Sequence, residues 1–155
     1  MILVPLALEN DLSDSKADYS TVVERLESVQ APLSYSWGVV THLMGVKNSP
    51  ELRKIHDAVQ PSIIEAFQRM GQSVPVYTAL KSIREDVVQW SALDTAQRRI
   101  VLAALRSMET SGIGLSGEKR TRFNKLKLEA AELSTKFSNN VLDSTKVTHF
   151  SNSES

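Results

Sequence analysis

From Tyr19 to Ser144 the apolar residues return at steps of three and four, and no two-residue alternation bounded by turn residues lasts long enough to make a strand. A step of three or four keeps one side of an α-helix dry, whereas a sheet needs a step of two. The pattern therefore predicts an all-α chain, a bundle of about six helices joined by short connections. Of its 155 residues 41% are hydrophobic, with 6 Gly and 5 Pro, which is enough to bury the core of one domain.

Punctuation sets the expected boundaries. Val22, Val23, Leu26 and Val29 form a first stripe, and Ala31-Pro32 reads as a break before a second helix carrying Leu33, Trp37, Val40, Leu43 and Met44. Asn48-Ser49-Pro50-Glu51 reads as a helix start: Ser49 supplies a capping oxygen, Pro50 is preorganised, and Glu51 faces the positive end of the dipole. The stripe then runs through Leu52, Ile55, Val59, Ile63, Phe67 and Met70, with Pro61 expected to kink or break it and Gly71 expected to cap it. Ser73 and Pro75 open a helix with Val76, Leu80, Ile83, Val87 and Trp90 on its face; Asp94 and Gln97 have capping-box spacing for the next, which carries Ile100, Val101, Ala104, Leu105 and Met108 and ends before Ser111-Gly112-Ile113-Gly114. Ser116 starts the longest helix, with Phe123, Leu126, Ala130, Leu133, Phe137 and Val141 expected as its buried face. The division expected is a variable, poorly ordered segment at 1–18, a helical domain at 19–146 and a disordered polar tail at 147–155.

Composition excludes several classes of function. Lys plus Arg is 18 and Asp plus Glu is 18, so no net field draws the whole chain to nucleic acid or an anionic membrane. The absence of Cys removes thiol chemistry, disulfides and thiolate metal sites, in keeping with a reducing compartment. MILVPLAL is apolar, but it is short, interrupted by Pro5 and followed by acids, with no basic residue before Lys16, so it fits neither a secretory signal nor a transit peptide. With no apolar run near the roughly 20 residues of a membrane helix, a cytoplasmic location is expected.

Chemistry-bearing constellations are sparse. The imidazoles are His42, His56 and His149; none has a second His at helical spacing, so no metal is expected and the histidines read as structural. No Gly-x-Ser-x-Gly turn occurs, and Glu129 and Glu132 read as a solvated stripe paired with Lys125 and Lys136. The run EKRTRFNKLK holds Lys119, Arg120, Arg122, Lys125 and Lys127, yet helical spacing scatters them around the axis, so a nucleic-acid face is not expected. Trp37 and Trp90 fall in phase with apolar stripes and read as core. No catalytic, cofactor-binding or metal-ligating residue is assigned.

Three blocks carry a resemblance. WGVVTHLMGVKNSPELR, from Trp37 to Arg53, and AELSTKFSNNVLDST, from Ala131 to Thr145, with VQPSIIEAFQRMGQSVPVYTALKSIRE between them, resemble the N-terminal helical region of the thimet oligopeptidase and oligopeptidase A family of zinc peptidases. The resemblance spans about Glu24 to Lys146 and implies a helical wall of one of two lobes flanking a channel that admits short, unstructured peptides. It also implies zinc in the intact family, held by a His-Glu-x-x-His helix far downstream; no such string occurs in this chain. The expectation is a truncated, non-catalytic module whose partners are a second copy, a full-length relative or short peptides. The alternative is one piece of a zinc metalloendopeptidase.

Overall fold

The computed structural model describes residues 17–151, with side chains as far as Thr145. The expectations for 1–16 and 152–155 lie outside the described residues. Among those described there is no strand: a π-helical turn, Ser20–Glu24, leads into α1 (Arg25–Val46), followed by α2 (Pro50–Gly71), α3 (Val74–Glu85), α4 (Val87–Ala92), α5 (Thr95–Thr110) and α6 (Gly117–Ser151). The all-α reading stands, but the helices divide the chain differently from the expectation.

Ala31-Pro32 does not separate two helices. α1 runs through Pro32, and α2 likewise runs through Pro61. Each proline deletes one backbone hydrogen bond and frees a carbonyl one turn earlier. Both prolines are exposed, so water can take up the freed carbonyl and packing on either side keeps the helix continuous. Conversely, the single helix expected from Ser73 to Trp90 is two. The Asp86 carboxylate accepts from the amides of Val88 and Gln89, both at 3.0 Å, and starts α4 afresh.

The main core lies where α3 and α5 meet the π-helical turn. Val76, Ala79, Leu80 and Ile83 of α3 pack with Val101, Leu105 and Met108 of α5 and with Val22 and Val23. Asp18 and Thr21 fix the entry to that turn, each accepting the other's backbone amide, at 2.8 and 3.0 Å. Trp90 and Leu93 close one edge. The capping box of α5 forms as expected, with Asp94 accepting from Gln97 N at 2.8 Å and Gln97 accepting from Asp94 N at 3.1 Å.

At the end of α5, Gly112 takes φ +85° while its amide and that of Ile113 donate to Glu109 and Met108 carbonyls at 3.1 Å, a Schellman closure. Gly71, expected to cap α2, is instead its last helical residue, with Gln72 at the cap position; its φ is not positive, and its missing side chain leaves room for Ser111, which an added Cβ would approach to 3.1 Å.

The start of α2 is as the sequence predicts. Ser49 accepts from Leu52 N at 3.2 Å, and Pro50 occupies the first turn. Glu51 in that turn has its carboxyl held below the usual carboxylate range, first by a backbone hydrogen bond and then by Ser49.

Two outcomes follow. Leu80 is fully buried, so Leu80→Ala should lower unfolding stability by about 2–5 kcal/mol in chemical denaturation. Because the Glu51 pKa is depressed on folding, its contribution is present above the unfolded carboxylate pKa and lost as pH falls through the folded one. The Tm gap between wild type and Glu51→Gln should therefore be visible at neutral pH and close under acid; a gap that widens under acid contradicts the cap assignment.

Candidate functional site

α2 lies between α1 and α6 and makes a different kind of contact with each. Toward α6 the contact is a ladder of polar side chains running the length of α2 and, on α6, from Asn124 to Asp143. Arg53 grips Asp143 with two nitrogens, at 2.8 and 2.6 Å, and its Nε donates to Asn48 Oδ1 at 2.6 Å. Asn48 in turn donates to the Met44 carbonyl at 2.7 Å and to Asn139 Oδ1 at 3.4 Å. Two turns on from Arg53, Gln60 donates to Thr135 Oγ1 at 2.9 Å. At the far end Gln68 and Gln72 reach Asn124, at 3.2 Å to its carbonyl and 2.8 Å to its Oδ1, and Gln72 also donates to the Ser111 carbonyl at 2.8 Å. The partner of each α2 residue falls earlier in α6 as the α2 number rises, so the two helices are antiparallel. Association with Asp143 raises the Arg53 pKa above its ordinary value, chiefly through the hydrogen bond.

Toward α1 the contact is aromatic. Trp37 stacks on His56 with ring centroids 4.8 Å apart and planes 19° from parallel. His56 is only 4% exposed, and its Nδ1 lies 3.2 Å from Asp57 Oδ1. This pair is the shared wall of two clefts. One, of about 360 Å³, is lined by Trp37, Thr41, His56, Gln60, Thr135 and Ser138 among others and is rich in uncharged hydrogen-bonding groups. The other, of about 680 Å³, lies between α1 and α2 over Val29, Leu33, Val40, Val59 and Ile63 and is mostly apolar. Trp37 was expected in the core and is half-buried as a cleft wall. A three-residue or four-residue step tells which side of a helix is dry, but not whether the neighbouring helix stands close enough to close over it.

The largest departure from the sequence pattern is in α6. Leu126, Leu133, Phe137 and Val141, expected as its buried face, are 52%, 65%, 70% and 49% exposed. The residues turned toward the bundle are Asn124, Leu128, Ala131, Thr135, Asn139 and Leu142. At about 100° per residue the two sets lie on opposite sides of the helix. The polar ladder decides which face turns inward, and the apolar stripe is left outside. A second outward stripe, Tyr35, Val39, Leu43 and Val46, lies on α1.

The remaining candidates resolve individually. Trp90 is half-buried against the core, with the Arg98 guanidinium 5.9 Å over its ring and Arg98 Nε donating to the Trp90 carbonyl at 2.9 Å. His42 is exposed, and the His149 side chain lies outside the described residues. Lys125 meets Glu129 at 3.7 Å, whereas no Glu132–Lys136 pair forms among the described residues. In the basic run, Arg120 donates to the Ile113 carbonyl at 3.2 Å and holds the loop before α6, and Lys127 sits 5.6 Å over the Phe123 ring. No group of three or more His, Asp or Glu side chains converges in a way that could hold a metal among the described residues.

Trp37→Ala removes the common wall and should merge the two clefts. Since the ring is half-buried, stability should fall by about 2 kcal/mol, more than for Arg53→Ala at the exposed end of the ladder, as read by urea unfolding.

Residues 6–120 match the family described as the neurolysin and thimet oligopeptidase N-terminal domain. The chain is 46% identical over 125 residues to a probable cytosolic oligopeptidase A of Arabidopsis thaliana, covering 81% of this chain and 18% of that protein. It is equally similar, at 46% over 125 residues, to the chloroplastic and mitochondrial organellar oligopeptidase A of the same plant, covering 16% of it. To oligopeptidase A of Escherichia coli strain K12 it is 38% identical over 127 residues, covering 82% of this chain and 18% of that one. The chain thus spans less than a fifth of the length of these curated relatives.

Proposed function

The chain belongs to the thimet oligopeptidase and oligopeptidase A family, and from that premise we propose that these 155 residues act through contact and not through chemistry of their own. The observation that carries the reading is the outward apolar stripe of α6, from Leu126 to Val141. A helix that hydrogen-bonds its polar face to its own bundle and turns its apolar face to water is built to be covered by something else. The sequence has no His-Glu-x-x-His string, so the zinc chemistry of the family would come from residues other than these. In this reading the module is non-catalytic, and a second copy, a full-length relative or a short peptide covers its apolar surfaces.

A second reading is supported by coverage. Less than a fifth of each relative is matched, which suits one helical wall of a zinc metalloendopeptidase degrading short peptides. Among the described residues no helix is long and apolar enough to cross a membrane. We place the module in the cytoplasm, while the names of the two plant relatives point to a cytosolic and an organellar protein.

Purified chain incubated with zinc and an internally quenched peptide should give no turnover above the zinc blank. Turnover abolished by a chelator would overturn the non-catalytic reading.

A further inference from the structure

Two outward apolar stripes were found, on α1 and on α6, and only one of them specifies what covers it. Within α1 the stripe is flanked by Ser34, Gly38 and His42 on one side and by Ser36 on the other; the charge next to it, Lys47, lies past the helix end and makes no pattern that selects a partner. The α6 stripe has both a seam and a charge pattern.

Leu126, Ala130, Leu133 and Phe137 follow steps of four, three and four, the spacing of a coiled-coil seam. Phe123 precedes it and Asn140 follows it at the same spacing. On one flank lie Arg122, Glu129 and Lys136, and on the other Lys127 and Ser134. From this arrangement we propose that α6 pairs with α6 of a second copy of this chain in an antiparallel coiled coil, which rests on the contact reading above and names its partner.

The register follows from the seam. Leu126 packs opposite the partner's Phe137, and Ala130 opposite the partner's Leu133, so the small residue always faces a large one. Glu129 then stands beside the partner's Lys136, and by symmetry Lys136 stands beside the partner's Glu129. Lys127 faces the partner's Ser134, and no like charges meet across the central layers. A parallel pair in the same seam would set Arg122 against the partner's Lys127 and leave Glu129 facing Ser134, losing the attraction and adding a repulsion.

The area fits a reversible dimer. The four exposed side chains with their flanking stems bury on the order of 500 Å² per copy, near the lower bound for a specific interface and below an obligate one. The polar ladder holds α6 in place before any partner arrives, so the stripe is presented preformed.

The test uses the whole 155-residue chain in sedimentation velocity and light scattering over roughly a hundredfold range of concentration. The expected result is a monomer shifting to a dimer. Glu129→Lys should weaken the dimer about tenfold or more, because it places Lys beside Lys136 at both ends of the seam, and Lys136→Glu should do the same with opposite sign. Combining the two substitutions should restore the affinity and its salt dependence; both sites are exposed, and circular dichroism verifies that the helices persist. Failure of the double variant to restore affinity would overturn the register. A strict monomer that still captures a full-length relative would overturn the dimer and leave the contact reading standing; a strict monomer that captures neither would overturn both.

Discussion

The polar ladder between α2 and α6 is the contact on which the other features of this protein depend. Five side chains of α2 and its leading loop, Asn48, Arg53, Gln60, Gln68 and Gln72, reach residues of α6 from Asn124 to Asp143. Each hydrogen bond adds little by itself, since folding exchanges water partners for protein ones. Their joint effect is rotational. A half turn of α6 about its axis would bury Leu126, Leu133 and Phe137, but would leave the amides of Gln60 and Gln68 without their partners in a half-buried seam and Gln72 with only the Ser111 carbonyl. An unmet buried donor costs more than a met one gains, and so the amides set the face.

Two further features follow from that rotation. Because α6 meets α2 through polar tips and not interlocked apolar side chains, the groove between α6 and α1 is not filled, and a cleft opens beside Trp37 and His56. Because the apolar face of α6 is outside, the chain carries a preformed seam that its own bundle does not use. The compact core lies elsewhere, in α3, α5 and the π-helical turn, where Leu80, Ile83, Val22 and Val101 are fully enclosed. The molecule thus joins a dry anchoring end to a long, partly open palisade.

Much of this was legible in the residues, with uneven depth. Local capping was read correctly at Ser49 and at Asp94 with Gln97, since these signals act over three residues and need no partner from afar. The α3 and α5 stripes were read correctly at Val76, Leu80, Ile83, Val101 and Leu105. Pro32 misled because a proline's cost depends on whether water reaches the freed carbonyl, which is a property of the assembled surface. Asp86 was missed because a single capping carboxylate inside an apolar run competes with the helix only when the flanking helices are already oriented. For Trp37 the helical phase was right, but on α2 the expected face included Ile55 and Val59, which are exposed, while the buried ring is His56; the stack joins residues 19 apart in sequence on two helices, which periodicity within one helix does not report.

By itself the sequence determined the all-helical class, several helix starts, the core of α3 and α5, and membership in a family through its Trp37–Arg53 and Ala131–Thr145 blocks. All of these rest on interactions within a few residues or on the order of residues along the chain. The tertiary structure alone decided which face of α6 looks inward, where the clefts open, and that Pro32 lies within one continuous helix. Those outcomes depend on hydrogen bonds between residues up to 91 positions apart, and helical periodicity marks an apolar face without stating whether this chain or another will cover it.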